Sequence, residues 1–97
     1  MESLKVYFLY LMEFEFDPRK SATNQKKHGI DFAVAQKLWE DTDAIGFPAR
    51  SDDEKRFALL AKLQDRVWVA FYTLRANRVR LISVRRARPN EEAIYES

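Results

Sequence analysis

Fourteen residues near the C-terminus, Arg75 to Arg88, hold six arginines and no acid, on a stretch that reads as the last strand of a small sheet. A guanidinium presents a planar fork of donors matched to phosphate oxygens, and a strand fixes several forks in register, so this segment suits a polyanion, RNA above all. A second group lies upstream. Lys20, Asn24, Lys27 and His28 fall at i, i+4, i+7 and i+8, which sets them along one face of a helix. His28 is the single histidine, and imidazole ordinarily titrates near neutrality, so it could give or take a proton. Each group also has a plainer reading. Cations near a helix C-terminus complement the helix dipole, and charge clusters are commonly solvated or ion-paired surface.

The elements that must position these residues are marked by caps and turns. Met12 to Phe16 alternates with Phe14 and Phe16 on one side, and Asp17-Pro18 then ends a strand and opens a helix to His28, closed by Gly29. Ala22 is the only apolar residue from Arg19 to His28, so that helix belongs at a surface. Asp31 caps a second helix whose Phe32, Ala35, Leu38 and Trp39 recur at helical spacing. Ala44 to Phe47 is a short edge strand stopped by Pro48, and Arg50 to Glu54 is a polar link. Arg56 to Leu63, Val67 to Leu74 and Arg78 to Arg86 form an antiparallel meander, followed by a short helix over Glu91 to Glu96.

This order predicts an α+β fold with two N-terminal helices on one face of a small, mainly antiparallel sheet, the other face remaining free. Val67 to Leu74 is apolar on both sides and therefore central, with Val69 and Phe71 pointing opposite to Trp68, Ala70 and Tyr72. Along the last strand, strict alternation puts Val79, Leu81, Ser83 and Arg85 on one side and Arg80, Ile82, Val84 and Arg86 on the other. Trp39 and Trp68 read as core.

Composition narrows the function classes. With 97 residues, 46% of them hydrophobic, the chain suits one domain rather than wholesale disorder. Its net charge of +2 hides an uneven distribution, because acids gather at Glu13 to Asp17, Glu40 to Asp43 and Asp52 to Glu54 while arginine dominates the end. The absence of cysteine removes disulfides and thiolate zinc sites, and fits a reducing cytoplasm. The apolar run Val6 to Met12 is far shorter than the roughly 20 residues of a membrane span. Residues 1–11 read as an extension from an upstream start, ahead of a single domain over residues 12–97. Asp52-Asp53-Glu54 offers hard oxygen ligands for magnesium, but adjacent acids on a link are usually solvated. No glycine-rich phosphate loop or serine or cysteine nucleophile motif is present.

Taken together, Phe14-Glu15-Phe16-Asp17, Lys20, Asn24, Lys27-His28-Gly29-Ile30, Phe32, Glu54-Lys55-Arg56, Tyr72-Thr73 with Arg75, and Arg80-Leu81-Ile82-Ser83 with Arg85-Arg86 resemble the BrnT family of bacterial toxins. The resemblance runs from about Met12 to Tyr95-Glu96. It implies the toxin of a type II toxin–antitoxin pair, RelE-like in fold, that cuts RNA internally without a metal or other cofactor and so stops translation. The implied partners are mRNA, free or on the ribosome, and a BrnA-like antitoxin that covers the basic cleft in a 2:2 assembly and carries the pair to operator DNA. Two stretches depart from the family pattern. Ala61 and Gln64-Asp65 stand where glycines are common, which predicts a longer or differently shaped turn, and Pro89-Asn90 replaces a more basic run.

Metal-free RNA cleavage requires a group that takes the 2′-hydroxyl proton, a group that protonates the leaving 5′-oxygen, and fixed positive charge at the phosphorane. His28 and Lys27 are the candidates for proton transfer and charge. Arg56 and Arg85, at the ends of neighbouring strands and within the motifs of the resemblance, are the candidate phosphate clamps. Lys20, Asn24, Arg75, Arg80 and Arg86 would hold flanking phosphates, and Tyr72 would stack a base or bond to phosphate. The competing readings are ion pairing of the arginines with Asp52, Asp53 and Glu54, and a half-buried core position for Tyr72. The alternative function is a non-catalytic α+β module that binds nucleic acid or an acidic protein.

Overall fold

The computed structural model describes residues 12–97, and the extension expected over residues 1–11 lies outside the described residues. Strand β1 (Glu13–Glu15) leads into α1 (Pro18–His28), and α2 (Phe32–Ala35) runs on as a 3-10 segment, Gln36–Glu40. Four strands follow, β2 (Ile45–Ala49), β3 (Arg56–Leu63), β4 (Arg66–Arg75) and β5 (Arg78–Arg86), and α3 (Pro89–Glu96) ends the chain. The five strands form one sheet in the order β1-β5-β4-β3-β2, with β1 parallel to β5 and every other pair antiparallel. The fold is therefore mixed α+β, with one strand ahead of the first two helices.

Local chemistry sets the helix ends. Asp17 accepts from the Arg19 amide at 2.8 Å, Pro18 fills the first turn where its missing N–H costs nothing, and Gly29 closes α1 at φ 79°, a left-handed value that glycine adopts without strain. Asp31 caps α2 through the Val34 amide at 2.8 Å. On the sheet face beneath these helices, Ile30, Phe32, Ala35 and Leu38 pack with Leu59, Ala61, Trp68, Ala70, Leu81 and Val84, and Phe14, Phe16 and Trp39 close the margin. Trp68 is buried and Trp39 half-buried, as expected of core tryptophans.

The second face of the sheet is not free. Ala58, Leu60, Val67 and Val69 form a second core under Ala87 and Tyr95, so α3 packs where the sequence order predicted an open surface. The Tyr95 hydroxyl donates to Asp41 Oδ2 at 2.6 Å, which ties the last turn of α3 to the end of the 3-10 segment. Burial, and then Asp41 itself, push the Tyr95 hydroxyl up to about 12.

A bulge corrects the expected alternation of β5. Phe71 pairs with Ser83 but Tyr72 pairs with Leu81, so Ile82 is an extra residue and the side-chain phase shifts by one. Leu81 and Val84 consequently share the helix-covered face, while Ser83 and Arg85 lie opposite Phe71 and Val69 on the second face. Arg85 and Leu81 are thus on different sides.

Two other details differ from expectation. Pro48 lies inside β2 rather than after it, which an edge position tolerates, since among the described residues no further strand pairs beyond β2. The Gln64-Asp65 turn is not lengthened: Leu63 pairs directly with Arg66, and both turn residues take positive φ, 52° and 64°. The β4–β5 turn does the same with Ala76 at 50° and Asn77 at 65°. Both are the mirror-image turns that match strand twist, at the cost of placing side chains in the left-handed region. Alanine lacks the local hydrogen bonding that makes asparagine tolerable there, so Ala76→Asn should raise stability by about 0.5–1 kcal/mol, read as a higher thermal midpoint.

Candidate functional site

The position of α1 is set by one buried side chain. Asn24 is only 5% exposed and donates through Nδ2 to the Ile30 carbonyl at 2.8 Å and the Val84 carbonyl at 2.9 Å, while its Oδ1 accepts from the Val84 amide at 3.1 Å. β1 pairs with β5 only from Arg78 to Arg80, so the edge beyond would expose bare backbone, and the Asn24 amide completes it in place of a strand. Ser21 adds to the join by accepting from the Phe32 amide at 2.9 Å. Asn24, expected to contact RNA beside Lys20 and Lys27, therefore faces inward with its amide committed to backbone.

With Asn24 turned in, Lys20, Lys27 and His28 are exposed on the outer surface of α1. A hollow of about 290 Å³ lies between α1 and β5, bordered by Arg19, Lys20, Lys27, His28, Ile82 and Ser83, with Asn24 also in its lining although its amide is committed to backbone. A second, of about 370 Å³, opens on the other side of His28 between Gly29, Val34, the β3–β4 turn and Trp68, with Arg66 and Arg86 at its rim. The Arg86 guanidinium lies over the Trp68 ring, 5.4–5.6 Å being the range of such contacts here and 5.6 Å this one. The buried Trp68 Nε1 has no acceptor among the described residues. Among the described residues, none of Lys20, Lys27, Arg66 and Arg86 makes an ion pair. Arg19 and Arg66 were not singled out from the sequence; Arg66 could have been found as the residue opposite Leu63 across a two-residue turn.

The other predicted arginines lie elsewhere, on the second face, and each meets a carboxylate. Arg56 Nε stands 3.8 Å from Glu54 Oε1, and Arg75 is 3.8 Å from Glu54 Oε2. Arg80 lies 3.6 Å from Glu15, and Arg78 bonds Glu13 at 2.8 Å. Arg85 forms a two-pronged pair with Glu91, Nη1 to Oε1 at 2.8 Å and Nη2 to Oε2 at 2.9 Å, with its guanidinium 5.4 Å from the Phe71 ring centre. The pairing expected with Asp52, Asp53 and Glu54 is realised at Glu54, and the remaining acids come from β1 and α3. Tyr72 is half-buried in an aromatic row, edge-on to Trp39 at 5.2 Å and stacked with Phe57 at 5.6 Å; burial raises its hydroxyl pKa. Among the described residues, no three His, Cys, Asp or Glu side chains are grouped to hold a metal, Asp52-Asp53-Glu54 included.

Two measurements check this electrostatic and hydrogen-bonded frame. Asn24→Ala leaves the Val84 amide and carbonyl without partners and should cost about 2–3 kcal/mol in denaturant unfolding; Asn24→Asp, which sets a carboxylate against two carbonyls, should cost no less. The Arg85 hydrogen bonds, together with the Arg88 amide and both charges, hold the Glu91 carboxyl down at about 2 against the pull of burial. A depressed carboxyl stabilises the fold fully above its unfolded value near 4.5 and loses that contribution as pH falls towards 2. The stability of wild type should therefore fall across that window more steeply than that of Glu91→Gln, measured as unfolding free energy against pH.

No curated protein matches the chain. The family model described as the ribonuclease toxin, BrnT, of type II toxin–antitoxin systems matches residues 16–91, a span that begins at Phe16 and takes in α1, both hollows, the whole of β2 to β5 and the Arg85–Glu91 pair. On that match across most of its length, the chain belongs to the BrnT family of ribonuclease toxins, whose members act on RNA and are paired with an antitoxin protein.

Proposed function

We propose that this ribonuclease toxin is a metal-independent endonuclease that holds RNA along the cationic strip around His28. The supporting observation is that Lys20, Lys27, Arg66 and Arg86, without carboxylate partners among the described residues, border two hollows that share this histidine. An unpaired cation keeps its full attraction for a phosphate, whereas one already engaged by Glu54, Glu15 or Glu91 must first give up that partner. On this reading Arg56, Arg75 and Arg80 serve the fold and the general field rather than the first grip on substrate, Tyr72 is part of the aromatic wall, and Asn24 positions α1.

The reaction proceeds in line at one phosphodiester. The 2′-oxygen gives up its proton and bonds to phosphorus, the bond from phosphorus to the 5′-oxygen breaks, and that oxygen receives a proton, leaving a 2′,3′-cyclic phosphate and a 5′-hydroxyl. His28 is exposed and placed between the two hollows, where its imidazole can carry one of the two proton transfers. Lys27 lies beside it to offset charge that builds on the phosphorane, and Lys20 and Arg86 hold the neighbouring phosphates on either side. Cutting mRNA in the cytoplasm would halt translation, and a BrnA-like antitoxin would neutralise the toxin by covering this strip. The RelE-like fold that the resemblance implies is part of this proposal.

Turnover separates this reading from a module that only binds. With RNA in excess and chelator present, the purified chain should fragment it catalytically. His28→Ala should lower the single-turnover rate by roughly 10²–10⁴, and Lys27→Ala should lower it with little change in folding stability. RNA that stays intact, protected at one chain per site, would contradict the proposal.

A further inference from the structure

Arg85 differs from the other arginines of the second face in how it is held. Arg56, Arg75 and Arg80 approach their carboxylates at 3.6–3.8 Å and Arg78 makes a single bond to Glu13 at 2.8 Å, whereas the Arg85 fork meets both Glu91 oxygens, at 2.8 and 2.9 Å, in a pair whose side chains remain 23% and 16% exposed. Two parallel N–H to oxygen bonds are also how a guanidinium takes a phosphodiester, which presents the same single negative charge on two oxygens. We propose that the Arg85 fork is a phosphodiester site, occupied in the free chain by the Glu91 carboxylate and taken over by an RNA phosphate when substrate binds. The inference rests on the reading that this chain grips RNA and adds a second foothold, on the opposite side of β5 from Arg86.

Three features make the exchange feasible. The carboxylate has somewhere to stay, because Glu91 Oε1 also accepts from the Arg88 amide at 2.7 Å and continues to cap α3 after Arg85 leaves. α3 itself is held at its far end by Tyr95 and Asp41, and none of its residues is fully buried, so a small shift suffices. The fork remains oriented without Glu91, since the Phe71 ring lies under it and Arg85 Nη1 also donates to the Arg86 carbonyl at 3.2 Å. The path to it is short. Ser83 borders the hollow of Lys20, Lys27 and His28, and Arg85 follows two residues later on the same side of the strand, roughly 6–7 Å along it. Among the described residues no strand lies outside β5 beyond Arg80, and only the Asn24 amide touches that edge, at Val84, so RNA can pass beside α1 from the histidine to the fork.

The test uses the full chain and a 2′-O-methyl RNA oligonucleotide, which cannot be cleaved by its own 2′-oxygen, with affinity measured over a range of salt. In wild type the phosphate gained by Arg85 is balanced by a carboxylate released, so the exchange adds little to the salt dependence. Glu91→Gln should bind about tenfold more tightly at low salt, with a slope of log affinity against log salt steeper by about 0.7, the value for one more phosphate of a single strand. Equal or weaker binding with an unchanged slope, in a variant that still unfolds cooperatively, would overturn the site. Should Glu91→Gln fail to fold, the Arg85 Nε–H resonance of wild type decides: a shift on adding the oligonucleotide supports the exchange, and a resonance that stays in place overturns it. An oligonucleotide that wild type does not bind at all would overturn both this site and the strip around His28, whereas binding lost in Lys27→Ala but indifferent to Glu91→Gln would remove the Arg85 site alone.

Discussion

The arrangement depends on an amide acting in place of a strand. β1 is three residues long and leaves the outer edge of β5 uncovered after Arg80, where unpaired backbone would be costly under a helix. Asn24 resolves this by bonding both the amide and the carbonyl of Val84, and by reaching the Ile30 carbonyl it also fixes the turn into α2. At about 100° per residue, Ser21 and Asn24 facing the sheet turn Lys20 and Lys27 to one side, while His28, on the same angular face as Asn24, is exposed because it is the last residue of α1. The same bond that joins helix to sheet thereby decides which side chains remain available to a ligand.

Charge is then divided between the two faces by pairing rather than by number. β1, the polar link and α3 each bring acids to the second face, where Glu13, Glu15, Glu54 and Glu91 engage Arg78, Arg80, Arg56, Arg75 and Arg85. Along α1 and the β3–β4 turn no lysine or arginine is ion-paired among the described residues, although Asp65 stands in that turn. A chain with a net charge of only +2 can in this way present a locally cationic surface while half of its arginines stiffen the sheet. On the proposed reading, a phosphate held there would lie near the histidine, and the paired arginines would be a reserve that substrate must compete for.

Features with a local cause were readable in the sequence. Asp17-Pro18 and Gly29 bound α1 as expected, the apolar alternation of Val67 to Leu74 identified the central strand, and Pro48 pointed to an edge. The second helix was readable as an apolar stripe, though not its passage into 3-10 geometry after Ala35. What strand periodicity could not supply was the extra residue at Ile82, which reverses the side-chain phase and sends Arg85 away from Leu81. Helical spacing grouped Asn24 with Lys20 and Lys27 but carries no sign of which way a small amide turns. Val69 and Phe71 announced an apolar second side, but its cover was hidden because the C-terminal segment brings only Ala87 and Tyr95 to it, and the Arg85–Glu91 pair was hidden because it joins a strand to a helix. The candidate site was thus half legible: the grouping of its lysines and histidine on one helix could be read, but not the nearness of the turn arginine or the pairing of four others with carboxylates.

The central claim, that RNA lies on the unpaired cations around His28, is tested most directly by mapping where it touches. A photoreactive, uncleavable RNA oligonucleotide crosslinked to the chain, with adducts located by mass spectrometry, should mark peptides within residues 19–28 and 64–66 and at Arg86. Adducts confined to Arg56, Arg75, Arg78 and Arg80, with α1 and the β3–β4 turn unmarked, would contradict the account.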